Sequence, residues 1–574
     1  MISDRTQQHG WPTAALLLIL LSSISVLGQT GSPPATNTAR SKTGSITGRV
    51  VNESGQPLPN VTVTVRAIGS ARSEEQVSSD NDGKFEAIGV EGVSYQIYAW
   101  LSAYTPVPRD ENAPASYRVG EFVRIVMTKG GVITGTVTTQ SGEPVVGVRV
   151  RARMISDRTR LPFPYSEMPF ERISDDRGVY RIYGLPAGTY VVAAGGNGGQ
   201  GPTNADPYDT DVPTYAPASN RDTAAEISVE TGAESNNIDI RYRGEPGRIV
   251  SGTVAATATG ANRFLVVLTS AADGGAEFNL NSYQMPADKG FVFYGVDDGD
   301  YDLTARTTVA DGQWVLSPPK RIKIRGADVT GIELAVQPLG SVSGQLVLEE
   351  LKTKECTEKQ PPILSETQVS AWHKDDAAAR SQPKFVWGLG APVNADAQGN
   401  VLIKNLASGD YYFVTRFIAK SWYVQSISLA APAPRKPIDA ARVWTTVKSG
   451  ERISGLKIVL AEGAGSLSGQ MALAEGEALQ DKLFVYLVPI EPERAGDPLR
   501  FYAGPVQADG KFSLNNLAPG RYWILTKPTS DGAQNKLRLP GETLTRARVR
   551  RDAEAAKTEI EFKPCQNVAD YRLK

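Results

Sequence analysis

Two histidines, His9 and His373, and two cysteines, Cys356 and Cys565, are all this chain offers of the residues on which most metal and nucleophilic catalysis depends. A zinc peptidase needs about three protein ligands, usually including two histidines, and a general base. A Ser-His-Asp or Cys-His arrangement would have to be built around His373, in Trp372-His373-Lys374-Asp375-Asp376, with no nucleophile-elbow motif nearby. Asp and Glu number 62, enough to supply a carboxylate pair of the glycosidase kind, yet no segment is left over to serve as a dedicated catalytic domain. The expectation is a non-enzymatic chain with no cofactor and no metal. Asp80-Asn81-Asp82-Gly83 and Asp297-Asp298-Gly299-Asp300 look superficially like calcium loops. An EF-type loop, however, spreads its ligands over about twelve residues and closes with Glu, so turn chemistry is the better reading.

Binding chemistry remains. Of the 8 tryptophans, Trp372, Trp387, Trp422 and Trp444 fall in one stretch of about a fifth of the chain, together with Tyr412 and Tyr423. An indole offers a broad apolar face that stacks on a sugar ring while its N–H keeps a polar partner. In Gly409-Asp410-Tyr411-Tyr412-Phe413, strand alternation puts Tyr411 and Phe413 on the core side and Tyr412 outside. Trp422 and Tyr423, as neighbours, face opposite ways. These six residues are the candidate ligand-binding set; the competing reading is that most of the tryptophans fill a larger core.

Lys and Arg number 61 against the 62 acids, a formal charge of -1, with no long run of either sign. That gives no basis for binding nucleic acid or an anionic membrane surface. The expected partner is a polysaccharide or a protein of the cell envelope, and the expected state a monomer. At the N-terminus, a polar stretch with Arg5 precedes the apolar run Ala14 to Leu27, then Gly28. This is the grammar of a signal peptide cleaved after Gly28, the run being short for a bilayer span, so the chain is expected to be secreted, periplasmic or at the cell surface. No later segment is long and apolar enough to span a membrane. Residues 29–43 have no apolar period and read as a disordered leader.

The elements that must position these residues repeat five times. A short strand with a central glycine recurs as Ser45–Val50, Val132–Val137, Ile249–Val254, Ser341–Leu346 and Ser466–Met471. Each is followed by an Asp-Gly turn and strand, and then by a tyrosine: Asp82-Gly83 with Tyr95, Asp176 to Gly178 with Tyr190, Asp288 to Gly290 with Tyr301, Asp396 to Gly399 with Tyr411, and Asp509-Gly510 with Tyr522. Asp caps the turn, Gly supplies its positive φ, and the tyrosine, ring inward and hydroxyl on backbone, resembles the tyrosine corner of sandwiches. The repeats are expected to close with strands at Phe122–Met127, Asn237–Tyr242, Gly331–Val336, Gly455–Leu460 and Glu559–Phe562. Only Glu542 to Lys557 reads as helix.

The resulting map is a signal peptide at 1–28, a leader at 29–43, and sandwiches at 44–129, 130–246, 247–338, 339–463 and 464–574. The fold class is all-β, a tandem array of antiparallel immunoglobulin-like or transthyretin-like sandwiches. Linkers such as Lys129-Gly130-Gly131 are minimal, so beads in a semi-rigid row are expected. Ala194 to Asn220 interrupts the second sandwich with Gly, Pro and Asn and reads as disordered, with Tyr208 and Tyr215 as contacts otherwise. In a straight row Cys356 and Cys565 would lie tens of Å apart, far beyond the roughly 7 Å Cα limit for a bridge. An exported chain with one such pair often joins it, so a disulfide and two thiols both stay open.

The pattern [Ser/Val/Ile]-x-x-Gly-x-Val, then Asp-x-x-Gly-x-Phe/Tyr, then Leu-x-x-Gly-x-Tyr resembles the carboxypeptidase regulatory-like domain. The resemblance implies a seven-stranded transthyretin-like sandwich, related to B-type adhesin stalk repeats and starch-binding-like folds, used as an accessory, stalk or carbohydrate-binding-like unit in exported bacterial proteins. It specifies fold better than function. Adhesin repeats of that type often carry a Lys to Asn isopeptide bond with Lys in the first strand; none of the five strands quoted holds a Lys.

Overall fold

A computed structural model describes residues 43–67, 74–90, 94–107, 116–157, 170–196, 207–255, 264–271, 279–284, 290–308, 313–351, 356, 362–374, 392–431, 435–471, 483–507, 510–528 and 533–573. The signal segment, nearly all of the leader, and Trp387 lie outside them.

The chain is a tandem array of two-sheet sandwiches. In each, the opening strand sits at the centre of the first sheet: Thr43–Asn52, Gly131–Thr138, Arg248–Ala255, Gly340–Glu349 and Gly465–Met471. On one side it pairs antiparallel with the strand after the Asp-Gly turn, Lys84–Val90, Val179–Leu185, Gly290–Val296, Asn400–Leu406 or Lys511–Leu517. On the other it pairs parallel with the closing strand, Phe122–Lys129, Ile240–Arg241, Val329–Ala335, Arg452–Glu462 or Asn567–Leu573.

Two expectations change here. The sandwiches are not purely antiparallel, and the fifth closes with Asn567–Leu573. Glu559–Phe562 belongs to the opposite sheet, beside Gly520–Pro528. A period of two says which face a side chain takes, not which strand is its neighbour, so the two short strands look alike in sequence.

The parallel pair also explains the central glycine. A Cβ on Gly252, Gly344 or Gly469 would collide with a carbonyl of the closing strand, that of Ile332, Leu456 or Tyr571, and one on Gly135 with the carbonyl of Ile238, two residues before that strand. In the last three repeats the register slips at this point, so the closing strand bulges in against the glycine.

The turn and corner work as the residue types dictate, with one shift. Asp80, Asp175 and Asp396 each accept two backbone N–H groups through Oδ1, from residues two and four ahead, at 2.7–2.9 Å. The capping acid is therefore three residues before the turn glycine, which makes Asp80 and Asp175 the caps in place of Asp82 and Asp176. The corner tyrosines Tyr190, Tyr301, Tyr411 and Tyr522 donate to the carbonyl four residues back, Pro186, Asp297, Ala407 and Ala518, at 2.8–3.0 Å. Burial raises the Tyr522 hydroxyl well above the usual phenol range.

Each sandwich has its own apolar core, and Leu499 of the fifth also packs against the core of the fourth. Two outer sheet faces are covered. In the second sandwich Thr214–Tyr215 pairs with Gly188–Ala194 and Tyr215, 5% exposed, packs on Val191 and Ala193. Tyr208 donates to the Val146 carbonyl at 3.0 Å. Residues 207–220 of the loop expected to be disordered are thus folded onto the sandwich, and 197–206 lie outside the described residues. In the fifth, the helix Thr543–Ala556 lays Val549 and Ala553 over Tyr486, Val488 and Trp523. Its Arg546, 1% exposed, donates to the carbonyls of Leu537 and Leu539. Among the described residues no helix is long and apolar enough to cross a membrane.

Successive sandwiches meet through one repeated device. The residue before the Leu or Val of the corner motif is left-handed in the last four repeats: Gly184, Gly295, Asn405 and Asn516, with φ of 78, 68, 62 and 56°. Each touches the preceding sandwich. Gly184 lies against Ala103, and Gly295 against the carbonyls of Asp209 and Asp211. Asn405 accepts the Trp314 N–H at 3.0 Å. Asn516 donates to the carbonyls of Ala419 and Trp422, both at 2.8 Å.

Candidate ligand-binding face

Three of the six candidate residues come together, and alternation is the reason. Gln368–His373 and Gly409–Arg416 pair so that Trp372 faces Tyr412 directly. Tyr411 and Phe413, each 4% exposed, point into the core, which turns Tyr412 outward. Trp444 immediately precedes Thr445–Val447, whose Thr445 is paired with Tyr411, so the indole lands beside Tyr412. Ring centroids stand 6.4 Å apart for Trp372 and Tyr412, and 5.7 Å for Tyr412 and Trp444, the latter edge to face. All three rings are half-buried. The result is an aromatic row across the outer face of one sheet.

A polar rim accompanies the row. Lys374 Nζ lies 5.6 Å from the centre of the Trp444 ring and 3.6 Å from the Asp410 carboxylate. Thr446 Oγ1 donates to Asp410 at 2.7 Å, and that bond, helped by Lys374, holds the carboxyl below its usual range. Asp410 was legible as a companion of Tyr412, being two residues away on the same face; Lys374 and Thr446 follow only from the pairing. From the fifth sandwich, Gly541 approaches the indole nitrogen of Trp444 and donates its N–H to the Arg442 carbonyl at 3.3 Å.

The other candidates go elsewhere. Trp422, 2% exposed, is a core residue of the fourth sandwich, so the core-filling reading holds for it. Tyr423 does turn outward, but against the fifth sandwich: the Arg500 guanidinium sits 5.2 Å from its ring and donates to the carbonyls of Val424 and Gln425 at 3.2 and 3.4 Å. Burial raises the Tyr423 hydroxyl. Trp387 falls outside the described residues. His373 packs edge-on against Tyr411 at 5.1 Å, and a Cβ on Gly409 would overlap its ring; its place is structural. Among the described residues no group of three or more His, Cys, Asp or Glu could hold a metal ion.

Cys356 and Cys565 are joined as a disulfide, with Cα atoms 5.3 Å apart. The separation expected of a straight row set Cys565 after the last strand of the fifth sandwich, whereas it precedes the closing strand Asn567–Leu573. Because opening and closing strands run parallel, the end of the fourth opening strand emerges beside Glu462, whose carboxylate accepts the Leu351 N–H at 3.0 Å. The segment leading into the fifth closing strand returns to the same junction, where Cys565 N–H donates to the Gly463 carbonyl at 2.9 Å.

Comparison with known proteins agrees with the repeat signature. Residues 45–119 match the family model of the carboxypeptidase regulatory-like domain. The match falls within the first repeat. The carboxypeptidase regulatory-like match spans the opening strand, the Asp80 turn and Tyr95, the elements whose counterparts recur in the four repeats that follow. No curated protein matches the chain. Similar solved structures include the Bacillus anthracis TIE protein, at 11% identity over 75% of this chain and 76% of that one, with a TM-score of 0.15. The minor pilin GBS52 of Streptococcus agalactiae is 12% identical over 35% of this chain and 96% of its own, TM-score 0.19. The major pilin BcpA of Bacillus cereus is 10% identical over 51% and 99%, TM-score 0.13. At such scores the likeness says nothing about function.

Proposed function

We propose that this protein is a non-enzymatic, exported binding scaffold of the cell envelope, and that the row Trp372, Tyr412 and Trp444 is its polysaccharide-binding face. The carrying observation is the row itself, three aromatic rings side by side on an outer sheet face with Lys374, Asp410 and Thr446 at its rim. The C–H groups on one face of a pyranose complement the electron-rich face of an indole or phenol, and a rim of donors and acceptors can orient the hydroxyls. Export rests on the signal-like segment Ala14 to Leu27. The second reading, a structural spacer or protein-interaction stalk with no small ligand, draws its support from the repeated joints.

Affinity measurements on the full chain separate the two. Trp372→Ala and Trp444→Ala are expected to weaken retention on a bound polysaccharide about tenfold or more, the usual cost of losing an anchoring aromatic, while leaving the fold intact. Trp422→Ala, by contrast, should cost about 3–5 kcal/mol of stability in the fourth sandwich. A wild-type chain retained on no polysaccharide, with native-like melting, leaves the spacer reading in place.

A further inference from the structure

We propose a second polysaccharide-binding face on the first sandwich, centred on Trp100 and Tyr98; it takes from the reading above only the class of ligand. The face is the outer side of the sheet Glu74–Ser78, Thr62–Ala67, Tyr95–Trp100. Register arranges it as a grid. Ser78, Thr62 and Trp100 form one row, Gln76, Thr64 and Tyr98 the next, and Glu74, Arg66 and Gln96 the third. The alternate residues Val63, Val65, Tyr95, Ile97 and Ala99 are all buried beneath.

Trp100 is 55% exposed, although the core below is filled without it. Leaving so large an apolar ring in water has no packing return. In the second and fifth sandwiches the outer face of the same sheet is covered, by Tyr215 and by the helix.

The composition selects the occupant. Apart from the two aromatics, every member of the grid is Ser, Thr, Gln, Glu or Arg, and no aliphatic residue is present to form the dry centre of a protein interface. Arg66 and Glu74 lie 3.8 Å apart and offset each other, so the face has no net charge with which to draw a polyanion. Tyr98 Oη donates to Gln96 Oε1 at 2.6 Å, which fixes the phenol beside the amide. Tyr98 and Trp100 are two residues apart on one strand, roughly 7 Å, so their rings stand in line on one face. The grid therefore offers two stacking rings in line, flanked by hydroxyl and amide groups. Its fitting partner is a neutral polysaccharide.

The test is affinity electrophoresis of the full chain in gels containing amylose, hydroxyethyl cellulose, xylan or mixed-linkage β-glucan. The proteins compared are wild type, Trp100→Ala, Trp372→Ala and the double variant. Trp100 touches no core, so its removal should leave melting within a degree or two of wild type. The expected result is retardation of wild type in at least one gel, a threefold or greater rise in Kd for Trp100→Ala, and loss of the remaining retardation in the double variant, as two linked sites require. Retardation unchanged in Trp100→Ala but lost in Trp372→Ala overturns this face and leaves the fourth-sandwich face standing. The converse does the reverse. No retardation of wild type in any of the four gels overturns both.

Discussion

At the scale of single residues, the same side chain serves opposite ends according to which face of a strand it takes. Tyr411 is a corner tied to backbone, while Tyr412, its neighbour, belongs to the aromatic row. The turn acids give the clearest single-residue prediction. Asp175 is held below the ordinary carboxylate range chiefly by the Val179 N–H, and Asp396 chiefly by the Asn400 side chain and then its N–H. Both bind a proton less tightly folded than unfolded. Their contribution is therefore complete above about pH 3.9, the ordinary aspartate value, and is lost as pH falls through the lower folded values. Asp396→Asn keeps an acceptor for the turn but not the titration. Its melting temperature should change less than that of wild type between pH 7 and pH 3, and identical curves for the two proteins would show that the turn carboxylate does not sense acid.

At the scale of the element, the governing feature is the parallel clasp of opening and closing strands around a glycine. Gly252→Ala drives a methyl group into the Ile332 carbonyl and should cost about 1–3 kcal/mol, as overpacking does. The neighbouring Ser251→Ala, on the partly exposed face, should change stability by no more than about 0.5 kcal/mol. Calorimetry of the full chain distinguishes them; equal effects would mean that the clasp is slack. The sequence announced the opening strands, the turn glycines and the corner tyrosines because each needs a particular residue type. It was silent on sheet membership, since Glu559–Phe562 and Asn567–Leu573 carry similar alternation yet lie in different sheets. The aromatic row was half legible. Alternation placed Tyr412, but only the pairing partners brought Trp372 and Trp444 to it, and no local signal told Trp422 from them. Trp100 went unremarked because a lone tryptophan at a strand end has no sequence company.

At the scale of the molecule, left-handed residues join sandwich to sandwich, and one contact links non-neighbours: the Arg118 guanidinium of the first pairs with the buried Glu366 carboxylate of the fourth, a contact that an extended row would not make. The disulfide has a further, mechanical consequence. Tension applied at the two ends enters the fourth sandwich through its opening strand and reaches Cys356. From there it crosses the sulfur–sulfur bond to Cys565 and leaves through the closing strand of the fifth. The sequence separation of 209 bypassed in this way, together with the aromatic row, is off the load path. In single-molecule stretching, about 700 Å of contour should stay locked in oxidising buffer and appear only once dithiothreitol has supplied the two electrons and two protons that convert the bridge to thiols. Release of that length without reductant would mean that the load runs through the sandwiches themselves. With the bridge closed, the part of the chain that carries the aromatic row hangs beside a taut covalent line, shielded from the pull that its neighbours bear.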